Sequence, residues 1–372
     1  MDVTASPNVA LQPRRAARRI AVAAVVVLGF LSSAEFTARV EDLVLMGTPL
    51  WATPDRARDL VVHDELGIRG KPNGRFKKWH LNSYGFRNEP MSQLPRPGVI
   101  RVMVLGASET FGLYERDGDE YPAQLRARLE PFGSYEVVNA AVAGLSLPGI
   151  CQLWESWGVR FKPAVVVVYP TPAFYLAGSP PHRPGPQTTV SDAPRWPNPR
   201  LLDALTDRFD FPAFVQRRRV ARWLAAAEAN RPPGWQFRTV PADRLARFAA
   251  DLAVLLDSIR AAGAEPILMT HAVGFHNPPT SEEADQVAAW RQFTPRATTE
   301  ILFQFEAATS KVSEKLANDG GVPIVDLAGR VSGNARWFAE DYLHFSEEGA
   351  RVVASLIADA IISKKLTPRL SS

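Results

Sequence analysis

The chain of 372 residues is 46% hydrophobic and 22% charged, the balance of a folded globular protein with one large core and an appendage, or two modest domains. Its formal net charge of +4 is concentrated in Arg14, Arg15, Arg18 and Arg19 and again in Arg217, Arg218, Arg219 and Arg222, with no basic stripe interleaved with aromatics, which argues against nucleic acid as a partner. A single cysteine, Cys151, excludes an intrachain disulfide framework and a cysteine metal cluster, and 31 prolines point to stiff loops.

Residues 1–13 are polar. Arg14 to Arg19 then precede the apolar run Ile20 to Leu31, the pattern of a membrane-targeting segment. Two readings compete: a cleaved signal peptide, with Ser32, Ser33 and Ala34 as small residues for cleavage, or an uncleaved anchor extended through Phe36 and Ala38. The anchor is the reading adopted, because the extended span approaches the ~17–20 residues that cross a bilayer. It makes residues 1–36 a cytoplasmic tail and signal anchor, with the arginines inside and the chain after Glu35 outside.

Residues 37–98 lack a long periodicity and are rich in turn formers, as in Gly67 to Gly74 and His80 to Asn88. They are expected to form a juxtamembrane collar, ending in the stiff lead Leu94 to Gly98. The main domain is expected over 99–366. Ile100 to Leu105 is a short apolar run followed at once by Gly106, the signature of a buried parallel strand. A helix is predicted at Tyr121 to Leu129, with Pro122 in its first turn. Strands follow at Tyr135 to Asn139 and Ala164 to Tyr169, with a helix around Leu153 to Phe161 between them. An insertion at about 173–240 contains one helical pattern, Phe211 to Ala225, whose Arg217 to Arg222 read as a solvated face or, alternatively, as a contact for anionic lipid or an acidic glycan. Asp243 is expected to cap a helix with Leu245, Phe248, Leu252, Leu255 and Ile259 at helical spacing. Then come the strand Glu265 to Thr270, a helix from Thr298 to Asn318, the short strand Val322 to Asp326, and a helix from Glu347 to Ser363 capped by Ser346. This alternation predicts an α/β fold: a doubly wound, flavodoxin-like parallel sheet of about five strands with helices on both faces, plus an N-terminal transmembrane helix.

The chemistry centres on Gly106-Ala107-Ser108, at the C-terminal end of the first predicted sheet strand, where α/β proteins place their sites. Ser108 is either a nucleophile lifted clear of the sheet or the cap of the next helix. A nucleophilic serine needs a base and a group that orients the base. Of six histidines, His344 stands out, because Asp341 lies three residues before it in the loop ahead of the last helix. His271 and His276 lack metal-site spacing, and Cys151 reads as packing.

Taken together, these segments resemble the SGNH (GDSL-type) hydrolase family, in its membrane-anchored bacterial form. Val104-Leu-Gly-Ala-Ser-Glu-Thr-Phe-Gly112 resembles the first block, with Ser108 as nucleophile. Asn139-Ala-Ala-Val-Ala-Gly144 resembles the second, in which the Gly144 N–H serves the oxyanion hole. Asp341-Tyr-Leu-His344 resembles the last, with Asp341 as orienter and His344 as base. Asn82-Ser-Tyr-Gly-Phe-Arg87, ahead of the first strand, fits the same group. Two departures stand out: Ala107 replaces the usual aspartate, and Thr171, in Tyr169-Pro-Thr-Pro172, stands where the third block has an asparagine oxyanion donor. The resemblance implies an extracytoplasmic serine esterase that cleaves an O-acyl ester of a small molecule or glycan, without cofactor or metal. It also admits an O-acyltransferase acting on an exported polysaccharide, or a glycan-binding protein that kept the fold after losing activity.

Overall fold

The computed structural model describes residues 12–52, 54–55, 59–177, 200–201, 222, 226 and 234–364. The helix expected at 211–225, and with it Arg217 to Arg219, lies outside the described residues, as does most of the 173–240 insertion. The chain divides into two compact units, one holding residues up to Asp55 together with Arg200 and Leu201, the other holding the sheet.

The first unit is built on α1 (Gln12–Met46). Its stretch Ala16–Leu45 spans 30 residues with a mean hydropathy of 2.0, long and apolar enough to cross a membrane. The helix runs ten residues past position 36, and this extension is polar on one side. Glu35 pairs with Arg39 at 2.6 Å and accepts the backbone N–H groups of Arg200 and Leu201 at 2.9 and 2.7 Å. Arg200 in turn pairs with Asp42 at 2.7 Å. The uncharged run Ile20 to Leu31 and this ion-paired end therefore suit different solvents.

The second unit opens with two antiparallel hairpins, β1 (Val61–Asp64) with β2 (Gly67–Gly70) and β3 (Arg75–Phe76) with β4 (Trp79–His80). The collar residues from 59 onward thus cluster with the sheet rather than with α1. The sheet strands are β5 (Ile100–Leu105), β6 (Tyr135–Asn139), β7 (Val165–Val168), β8 (Glu265–Met269) and β9 (Ile324–Val325). All pairings are parallel, in the order β6-β5-β7-β8-β9, which is the flavodoxin-like doubly wound arrangement. Side chains alternate across it. Met103, Leu105, Val166, Val168 and Leu268 face one core with α4 (Leu147–Ser156), α5 (Ala242–Ala261) and α7 (Thr299–Gly320). Val102, Val104, Val165, Val167 and Ile267 face the other with α3 (Tyr121–Leu129) and α9 (Glu347–Ser363). The short helices α2 (Ser108–Phe111), α6 (Ala284–Arg291) and α8 (Leu327–Val331) fill the loops.

Most predicted elements appear where the pattern put them, and two differ for local reasons. The helix expected around Leu153 begins at Leu147, because Ser146 sits extended as its N-cap and Pro148 occupies the first turn, where proline is favoured. Only a 3-10 turn, Gly158–Phe161, follows it. Asp243 does not cap α5. Pro241 holds the extended N-cap position, and Asp243 lies in the first turn, where its charge complements the helix dipole. Ser346 does cap α9, its Oγ accepting the N–H of Gly349 at 3.1 Å.

Candidate active site

The sheet order reverses between β5 and β7, and the loops leaving these two strands carry the candidate residues. All six residues of β5 are buried, so the chain can emerge only at the strand's C-terminal end, into Gly106 and then α2. Gly106 is required there: a Cβ would sit 2.0 Å from Thr110 Oγ1. Ser108 is the first residue of α2, half-buried, with Ala107 fully buried beneath it. The preceding residue, Ala107, makes no side-chain cap, so Ser108 is inside the helix rather than its N-cap.

Two chain segments brace this turn. Asn139, closing β6, donates from Nδ2 to the Thr110 carbonyl at 3.1 Å and accepts the N–H of Ala141 at 3.2 Å, bending the chain toward Gly144. Gly144 takes φ +83°, a conformation that favours glycine, and is exposed with open space where a Cβ would be. Its N–H has no backbone acceptor among the described residues. The second brace is Asn82 to Asn88. Asn82 Oδ1 accepts the N–H groups of Tyr84 and Phe86, folding the segment on itself. Arg87, only 3% exposed, then donates to the carbonyls of Phe111 at 2.7 Å, Glu115 at 3.1 Å and Gly112, and pairs with Asp117 at 3.0 Å. The segment expected as part of a juxtamembrane collar therefore holds the loop after the serine.

Asp341 and His344 form one unit. His344 Nδ1 and Asp341 Oδ2 are 2.6 Å apart, and Asp341 Oδ1 accepts the N–H groups of Leu343 and His344, both at 3.0 Å. The carboxylate is thus fixed by its own loop, and it fixes the imidazole in turn. Besides Asp341, three groups act on this histidine: Tyr114, Glu109 and Glu115. The ring of Tyr114 lies 5.2 Å from the imidazole. Burial pulls the His344 pKa down, but the Asp341 hydrogen bond and the charges of Glu109, Asp341 and Glu115 outweigh it and set the group above its ordinary value. Glu115 itself is buried and is pushed up to about 7. His344 Nε2 is buried without a partner.

The structure does not join Ser108 to His344 by a hydrogen bond. Ser108 Oγ donates instead to Glu109 Oε2 at 3.2 Å. The same oxygen accepts the Thr171 hydroxyl at 3.4 Å, so Thr171, placed at the end of β7 as expected, directs its hydroxyl to a carboxylate. Beyond Glu109 stands His271, with Nε2 3.8 Å from Glu109 Oε1 and Nδ1 2.8 Å from Glu306 Oε2. Tyr169 stacks on its ring at 5.4 Å. Burial opposes the His271 charge, yet Glu306 and Glu109 raise its pKa to about 10. Burial would likewise lift Glu109, but the facing imidazole of His271 and the charge of His344 outweigh it and keep the carboxyl below its usual range.

Sequence reasoning missed Glu109, Glu306, Glu115 and Arg87. One signal was present: Glu306 shares a helical face with Leu302, Thr309 and Ser313, all buried, and a carboxylate on a core stripe calls for a buried cation. Cys151 is buried, its Sγ 3.6 Å from the Asp251 carbonyl, and His276 pairs with Glu283 at 2.8 Å. Among the described residues no group of three or more His, Cys, Asp or Glu side chains is placed to hold a metal ion.

No protein-family model matches the sequence, and no curated protein matches it. Solved structures do resemble it. A lipase/acylhydrolase from Enterococcus faecalis is 16% identical, covering 71% of this chain and 96% of its own, with a TM-score of 0.42. An acetylxylan esterase from Geobacillus stearothermophilus is 15% identical over 70% of this chain and 94% of its own, with a TM-score of 0.41. The psychrotrophic esterase EstA from Pseudoalteromonas sp. is 10% identical over 71% and 98%, also with a TM-score of 0.41.

Proposed function

We propose that the protein is a serine esterase of the SGNH type that cleaves an O-acyl ester outside the cytoplasm, anchored by α1. The observation that carries this reading is the His344–Asp341 pair, fixed at 2.6 Å with its second ring nitrogen buried and unpartnered, as a general base requires. In this reading Ser108 attacks the ester carbonyl and passes its proton to His344 Nε2. Asp341 stabilises the imidazolium. The N–H groups of Ser108 and Gly144 bind the oxyanion. The alcohol then leaves with the proton from His344, and water repeats the sequence to release the acid. The membership rests on the blocks around Ser108, Asn139 to Gly144 and Asp341 to His344. The test is turnover of short acyl esters by the full chain in detergent, compared with its Ser108→Ala variant.

A pH dependence follows. His344 must be neutral to accept a proton, and its pKa lies above the ordinary ~6.5. The acid limb of kcat/KM is therefore expected above pH ~6.5. The groups facing the imidazole are Asp341, Glu109, Glu115 and Tyr114. Glu115, at about 7, is only partly charged across that limb, so Glu115→Gln removes part of a negative charge and is expected to move the limb slightly to lower pH; a limb unmoved by that change would detach Glu115 from the base.

The proposed orientation rests on Arg14 to Arg19 preceding the apolar span. A reporter enzyme fused after Ser372 is expected to be active only outside the cytoplasm. A cytoplasmic signal would reverse the assignment.

A further inference from the structure

The described residues contain a second chain of charged groups that reaches the serine and that the proposed mechanism does not use. It runs from Glu306 through His271 to Glu109 and ends on Ser108 Oγ. Each inner member is buried: Glu109 is 5% exposed, His271 5% and Glu306 7%. A buried carboxylate beside a nucleophile costs stability unless a cation compensates, and His271 is that cation. A hydroxyl has one proton to give. Glu109 Oε2 takes it at 3.2 Å, while His344 Nε2 stands without a partner.

We propose that Glu109 is a positioning residue that holds the Ser108 hydroxyl in the free enzyme, so that the nucleophile is withheld from His344 until an acyl substrate occupies the site. The inference rests on the serine chemistry proposed above. Glu109 restrains rather than activates, because its bond to the serine proton must break before that proton reaches the base. His271 and Glu306 keep the carboxylate charged and so keep the restraint in place. The Thr171 hydroxyl donates to the same oxygen at 3.4 Å.

Two measurements on the full chain in detergent test this. The first is the rate of Ser108 modification by an alkyl fluorophosphonate across pH. Glu109→Gln keeps an acceptor of the same shape but exchanges a charge-assisted hydrogen bond for a neutral one. It is expected to raise the rate on the high-pH plateau by about fivefold. It is also expected to move the acid limb down by about half a pH unit, because a negative charge near His344 is lost. A slower plateau, or one unchanged within twofold, overturns the proposal, since the carboxylate would then assist the serine or only support the fold. The second measurement does not depend on that variant folding. With histidines labelled by nitrogen-15, Ser108→Ala is expected to leave the His344 Nε2 chemical shift and titration unchanged, because the hydroxyl does not bond there in the free enzyme. A clear shift of Nε2 overturns the proposal. Absence of any modification at Ser108 in the unsubstituted protein defeats the esterase reading itself, whereas modification without acceleration in Glu109→Gln defeats this inference alone.

Discussion

Replacing Ser108 or His344 by alanine is expected to lower kcat/KM toward an O-acyl ester by about four orders of magnitude or more, with the double variant little worse than either. The reason is that nucleophile and base act in one step. Once the serine is gone, an intact His344–Asp341 pair has no proton to take. Once His344 is gone, the Ser108 proton is left with Glu109 as its acceptor, a carboxylate kept below its usual pKa against its burial by the facing His271 and so too weak a base. Residual turnover would come from the oxyanion donors and binding. Asp341→Asn should fall between these and the unsubstituted enzyme, since the amide keeps an acceptor for the imidazole but loses the charge. Effects of the two alanine changes that multiply would contradict a shared step.

Arg87→Met is expected to have the largest effect on stability. The side chain is 3% exposed, and it satisfies the carbonyls of Phe111, Gly112 and Glu115 and pairs with Asp117. Methionine fills part of the volume but donates nothing, leaving buried acceptors without partners. Such a loss costs about 3 kcal/mol. For a unit of this size that is a drop in Tm of roughly 6–12 °C. Because Arg87 holds the loop that follows Ser108, kcat should fall as well, below the Tm of the variant and with KM less affected. A Tm within 2 °C of the original, set as roughly the shift of a single small surface change, would mean the loop is held by other contacts.

How much of this was legible in the sequence differs by the range of the interactions. β7 was legible because it is apolar on both faces, as a strand covered on both sides is, and β5 because it is an apolar run, with Arg101 at its entry, that meets Gly106 at once. The last helix was legible through Ser346, a local cap whose partner lies three residues away. Asp341 and His344 also lie three residues apart, and their pairing was legible for that reason. Arg87 was not. Three of its partners lie 24 to 28 residues along the chain and are backbone carbonyls, which carry no residue-type signal, and its carboxylate partner, Asp117, is 30 residues away. The same holds for Glu109 and His271: an acidic residue next to a serine looks like a helix start until a histidine from another strand end is brought to it. Thr171 was found by its position after β7, but the destination of its hydroxyl depends on Glu109 and could not be read from either segment alone.

The most direct measurement of the central claim is to treat the full chain in detergent with a fluorophosphonate probe and to map the modified residue by peptide mass spectrometry. The account predicts a single adduct on Ser108, lost in Ser108→Ala and greatly slowed in His344→Ala. An adduct on another serine, or ester turnover that persists without any modification of Ser108, would contradict it.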